Sequence, residues 1–151
     1  VSLRDQIMEN LKTAMKEQNR LRLSTLRLVN AAIKDRDIAN RGIGRPVADD
    51  AEIQGLLARM IKQREESARI YEEAARPEPA AEERQEIAVI AAFLPRQLSD
   101  EEMQKAVNKA LSDNEALSLR DMGRVMAQLK ELYPGQMDFA KAGALVRKAL
   151  Q

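Results

Sequence analysis

The sequence predicts an all-α protein: a helical N-terminal domain of long antiparallel helices over residues 1–95, and a small three-helix C-terminal domain over residues 96–151. Three observations carry this. Apolar residues recur at helical spacing along nearly the whole chain, and period-two alternation is sustained nowhere. The apolar content is aliphatic, with aromatics at 3%, no Trp and seven Met, a balance that favours helices over sheets. Capping residues and prolines punctuate the stripes where helices should start and stop.

The first helix opens at Ser2, with Ser2 and Asp5 in capping-box positions, and carries Leu3, Ile7, Leu11 and Met15 on one face. "EQN", Glu17 to Asn19, marks a turn. A second, broader face follows through Leu21, Thr25, Leu28 and Ala32, flanked by Leu26, Val29 and Ile33, and ends at the Gly42, Gly44, Pro46 loop. Asp49 and Glu52 signal the next start. Ile53, Leu56, Leu57, Met60 and Ile61 then lead into a charged stretch, a helix of about 26 residues and roughly 40 Å. "RPEP" breaks it. A fourth helix carries Ile87, Ile90, Ala91 and Leu94 and stops at Pro95.

"FLPRQLSDEEM" is the predicted domain boundary, because Pro95 ends one helix and Ser99 with Glu102 forms an S-x-x-E capping box for the next. Three short helices follow, from Ser99 to Asp113, Ser118 to about Tyr133, and Asp138 to Gln151. Their apolar faces are Met103, Val107, Ala110 and Leu111; Met122, Val125, Met126 and Leu129; and Phe139, Ala142, Val146, Ala149 and Leu150. Asp138 is placed to cap the last.

Composition excludes several kinds of chemistry. Cysteine is absent, so the chain has no disulfide framework or thiolate site and no need of an oxidising compartment. Histidine is absent too, which removes the commonest general base, the Ser-His-Asp and Cys-His constellations and most zinc sites. "GIGRP" lacks the Gly-Lys-Ser/Thr of a triphosphate cradle. Paired glutamates such as Glu65 and Glu66 point about 100° apart on a helix and do not converge on one ligand. No catalytic residue, metal site or cofactor is assigned. With no apolar run approaching a membrane span, a cytoplasmic protein is expected.

Charge is unevenly spread beneath a net value of +1. Residues 1–48 hold ten Lys/Arg against five Asp/Glu, and residues 49–86 hold six against eleven. Either the two halves pair across helix surfaces, or Arg20, Arg22, Arg27, Lys34, Arg36, Arg41 and Arg45 form a phosphate-tracking surface. Residues 118–151 hold six Lys/Arg against three Asp/Glu. In that region Gly123 and Gly143 interrupt helices where glycine disfavours the helix by about 1 kcal/mol. The expectation is that they let facing backbones approach closely, seating a tight hairpin around the Pro134-Gly135 turn.

"LPRQLSDEEM", "LRDMGRVMAQL" and "GQMDFAKAGALVRKAL" resemble the C-terminal part of the YqeY family, also called the GatB/YqeY domain. "MKEQNRLRLSTLRLVNAAIKDRDI" and "MIKQREESARIYEEAAR" are similar to its N-terminal helices, so the resemblance covers essentially the whole chain. It implies a helical N-terminal domain with a three-helix tail, related to the tail that helps the tRNA-dependent amidotransferase B subunit grip tRNA. The family label, carbon–nitrogen ligase activity with glutamine as amido donor, comes with the resemblance; the glutaminase nucleophile and ATP site it requires are not found in these residues. A non-catalytic module whose partner is tRNA or a tRNA-handling protein is therefore expected, with Arg124, Lys141, Arg147 and Lys148 as phosphate contacts. With only Tyr133 and Phe139 as aromatics in the tail, such contact would read shape and backbone rather than bases. The sequence departs from the family's G-x-x-D-G-K turn, keeping Gly135, Asp138 and Lys141 but placing Phe139 and Ala140 between the last two. The alternative is a protein-interaction adaptor, docking through the charged helix from Asp49 to Arg76 onto a synthetase or another cytoplasmic partner.

Overall fold

Local capping chemistry sets most helix boundaries in the computed structural model, which describes residues 2–151. Ser2 accepts a hydrogen bond from the Asp5 N–H and opens α1 (Leu3–Glu17). Asn19 caps α2 (Arg20–Gly42) through the Arg22 N–H, and Asp49 caps α3 (Asp50–Glu73) through the Glu52 N–H. Proline at the first position starts α4 (Pro77–Ala91), where the missing N–H has no helical partner to lose. A reciprocal Ser99 and Glu102 capping box opens α5 (Asp100–Asp113). A 3-10 turn (Leu119–Asp121) leads directly into α6 (Met122–Leu132), and Asp138 caps α7 (Phe139–Leu150) through the Ala140 and Lys141 N–H groups. No strand occurs among the described residues, so the all-α reading holds.

The chain divides into two units, Val1–Leu94 and Pro95–Gln151. In the first, α3 and α4 form a hairpin whose bend passes through Ala75 at φ +57°, and α1 and α2 pack on it. Leu3, Ile7, Val29, Ile33, Ile53, Leu57 and Ile90 are buried at its centre. A smaller cluster of Leu11, Ala14 and Leu26 closes one end.

The α1 face corrects the predicted stripe. Met15 is 54% exposed and Ala14 is fully buried in its place. Each i, i+4 step overshoots a helical turn by about 40°, so three steps from Leu3 carry Met15 off the core side. Leu28 errs in the other direction, its three-residue step from Thr25 falling about 60° short of a turn, and is 51% exposed, while Thr25, Leu26, Val29 and Ile33 make the buried face of α2.

Polar contacts pin the α2–α3 loop. Asp37 accepts two hydrogen bonds from the Arg4 guanidinium, at 2.8 and 2.9 Å, and a third from the Ala48 N–H at 2.9 Å. These hold its carboxyl below the usual aspartate range, the Arg4 bonds contributing most. Buried Asn40 donates to the Pro46 carbonyl and to Glu52, which is how a side-chain amide comes to sit in an apolar unit without an unmet donor.

In the second unit α5, α6 and α7 pack pairwise around Met103, Val107, Ala110, Val125, Leu129, Met137, Ala142 and Val146. Ala106 joins this core. Ala149 does not and is exposed in the last turn of α7, although the helical repeat places it only about 20° from buried Ala142. The segment before α5 is tied to the α6–α7 turn by the Leu98 N–H to the Gln136 carbonyl and the Gln97 side chain to the Gly135 carbonyl.

Candidate nucleic-acid interface

The residues singled out as phosphate contacts do not form one cluster. Val125 and Leu129 define the buried side of α6, and Arg124 lies about 120° to one flank of it. There its guanidinium donates to Asp121 at 2.5 Å. Asp121 also accepts the Leu117 and Ser118 N–H groups, so the pair is part of the turn that starts α6. With those donors converging on it, the Asp121 carboxyl is lowered to about 2.

On α7, Ala142 and Val146 face the core. Lys141 and Lys148 are seven residues apart and share the opposite, solvent side, with Arg147 on its edge. Lys141 donates to Asp100 at the start of α5, at 2.6 Å. Arg147 and Lys148 are exposed in the last turn, and neither forms an ion pair with a described residue. Of the four predicted contacts, two are thus unpaired and two are held inside the tail by exposed ion pairs, which solvent and competing anions can displace.

Two further cations of the tail are exposed and unpaired, Arg120 on the 3-10 turn and Lys130 on α6. Sequence reasoning passed over both. Lys130 lies on the flank of α6 opposite Arg124, a position the helical repeat already contains.

The glycines require a correction. A Cβ built on Gly123 meets nothing within 4 Å, so this position faces open space and does not bring two backbones together. At Gly143 a Cβ would lie 3.7 and 3.8 Å from the terminal methyls of Met122 and Met126, ordinary contact with flexible side chains rather than with a facing backbone. The close approach expected of both is absent because methionines, not main chain, fill the space between α6 and α7. Gly135 has a different role: at φ +72° it makes the turn between them, a conformation that side chains with a Cβ disfavour.

In the first unit the basic series splits by partner. Arg36 and Arg45 reach Glu52, at 3.2 and 3.7 Å, and Arg22 turns to Asn10. Acidic residues of α3 and α4 are paired mostly among themselves, as in Arg64 with Glu86 and Arg84 with Glu72. Arg36 and Arg45 thus join the two charged halves at Glu52.

These features describe an all-helical chain of two separately cored units, the second a three-helix tail with a cationic last helix. Among the described residues no group of His, Cys, Asp or Glu is arranged to hold a metal ion, and no helix is long and apolar enough to cross a membrane. The chain belongs to the YqeY family, described as Yqey-like protein, whose model matches residues 4–150. Its likeness to the amidotransferase B-subunit tail is consistent with that membership. No curated protein matches the chain.

Proposed function

We propose that this protein is a non-catalytic RNA-associated module that holds the phosphate backbone of tRNA on the solvent face of its tail. The observation that carries this is the last turn of α7, where Arg147 and Lys148 stand exposed with no ion-pair partner among the described residues. Lys148 shares its face with Lys141, whose bond to Asp100 lies at the surface. Family membership supports a tail like that of the amidotransferase B subunit. Contacts of this kind position a backbone without reading sequence, in keeping with a tail whose aromatics, Tyr133 and Phe139, pack against its core.

The test is a tRNA titration at two salt concentrations, with wild type and the Arg147→Gln, Lys148→Gln double variant. Binding should weaken steeply with salt, and the double variant should lower the slope of log K against log salt by about two. If wild-type affinity at low salt equals that of an unrelated protein of matching charge, the reading is wrong. Capture of a protein partner that survives nuclease treatment, with no affinity for tRNA, would replace it with the adaptor reading.

A further inference from the structure

Once Arg22, Arg36 and Arg45 are engaged by their neighbours, four cations of α2 remain: Arg20, Arg27, Lys34 and Arg41. All four are exposed and none forms an ion pair with a described residue, though Arg41 stands near enough to Asp37 to help lower its carboxyl. They are spaced seven residues apart. Seven residues turn an α-helix about 20° short of two full turns, so the four fall on one face within about 60°, over a length of roughly 31 Å. This face lies opposite Val29 and Ile33, which α2 buries.

Between the cations the same face carries Leu23, Ala31 and Ile38, with Asp37 on one flank and Ser24 and Asp35 on the other. Of the two large apolar residues there, Ile38 is 65% exposed and Leu23 is half-buried against the core. A partner helix seated in coiled-coil fashion needs an apolar knob at nearly every turn, and this face does not supply them. Single-stranded nucleic acid is held by stacking on aromatic side chains as well as by charge, yet α2 contains no aromatic residue. What the face offers is a straight, rigid line of positive charge with a carboxylate on each flank, Asp35 and the Arg4-bound Asp37. That suits a stiff polyanion.

We propose that the outer face of α2 is a second RNA-binding surface, on which Arg20, Arg27, Lys34 and Arg41 contact the phosphates of double-helical RNA. This rests on the preceding reading only in taking RNA as the ligand, because the surface belongs to the other unit of the chain. Recognition is by backbone and groove shape, as expected for A-form duplexes. Each cation displaces condensed counterions, so the contribution is read in salt dependence rather than in sequence preference.

The experiment uses the full chain and a fluorescent RNA duplex, titrated across a salt series with wild type, an Arg27→Gln, Lys34→Gln variant, and the tail variant Arg147→Gln, Lys148→Gln. Glutamine keeps the helix propensity of Arg and Lys, and circular dichroism verifies the fold. The α2 variant should lower the log–log salt slope by about two and weaken binding severalfold or more at low salt. An unchanged slope in the α2 variant, with a lowered slope in the tail variant, overturns this inference and leaves the tail reading standing. The reverse result supports this inference and removes the tail. A single strand bound as tightly as the duplex, or no duplex binding by wild type, overturns it. So does a self-associated wild type that the α2 substitutions render monomeric, which would assign the face to a second copy of the chain.

Discussion

Asp37→Ala is the substitution whose effect the structure sets most directly. The carboxylate takes both arms of the Arg4 guanidinium and the Ala48 N–H, and Arg4 in turn donates to the Ala48 carbonyl at 3.0 Å, so one side chain joins α1, α2 and the α2–α3 loop. Hydrogen bonds to charged groups contribute roughly 1.5–3 kcal/mol each when well buried. Here the side chains of Arg4 and Asp37 are 32% and 16% exposed, so water recovers part of what the guanidinium loses. The expected loss is about 2–3 kcal/mol. Asp37→Asn, which keeps an acceptor but removes the charge, should lose about half of that. With a urea m-value on the order of 1–2 kcal/mol per molar, the Ala variant should shift the unfolding midpoint of the first unit by about 1–3 M, measured by circular dichroism at neutral pH. The tail, with its own core, should unfold where it did before. A shift below about 0.5 M would show that the network is a surface arrangement without energetic weight, and an equal shift in both units would refute their separate cores.

The remaining predictions concern the tail. Gly123→Ala should stabilise it by about 1 kcal/mol and Gly143→Ala should be neutral to mildly stabilising, whereas Gly135→Ala, at positive φ, should destabilise by about 1 kcal/mol or more; denaturation midpoints of the three variants check the order. Glu102, bonded first by Arg96 and then by the Ser99 N–H, and Asp121, bonded by Leu117, Arg124 and Ser118, both have folded pKa values of about 2. A carboxyl depressed in the folded state lets the unfolded state bind protons first as pH falls, so their stabilisation is full above the ordinary carboxylate range and is lost from about pH 4 towards 2. Thermal melts of Glu102→Gln with Asp121→Asn should show a lower midpoint at neutral pH and a flatter decline across that window.

What the sequence makes legible here is what short-range chemistry decides. Asp49, Ser99 and Asp138 cap the helices they precede because a side-chain oxygen needs only the next few N–H groups. Pro77 opens a helix for an equally local reason. Helix ends were less plain where the chain turns left-handed without glycine, at Gln18, Ala75 and Glu115. The predicted faces erred where a four-residue step was extended too far, as at Met15, or where a small residue does the packing, as at Ala14 and Ala106.

The charged surface was legible in position but not in partnership, and the difference decides what the protein can hold. Arg124 pairs three residues back with Asp121, within reach of sequence reasoning, but Lys141 pairs with Asp100, 41 residues away. The seven-residue repeat of Arg20, Arg27, Lys34 and Arg41 is plain in the sequence; that none of the four forms an ion pair with a described residue, while Arg36 and Arg45 reach Glu52, is not. A cation already satisfied by a neighbouring carboxylate must give up that partner to hold a phosphate, while an unsatisfied one exchanges only water and counterions. Binding energy should therefore concentrate at Arg147, Lys148 and the α2 row, and Arg124, although it too is exposed, should matter more to the turn that begins α6 than to any RNA.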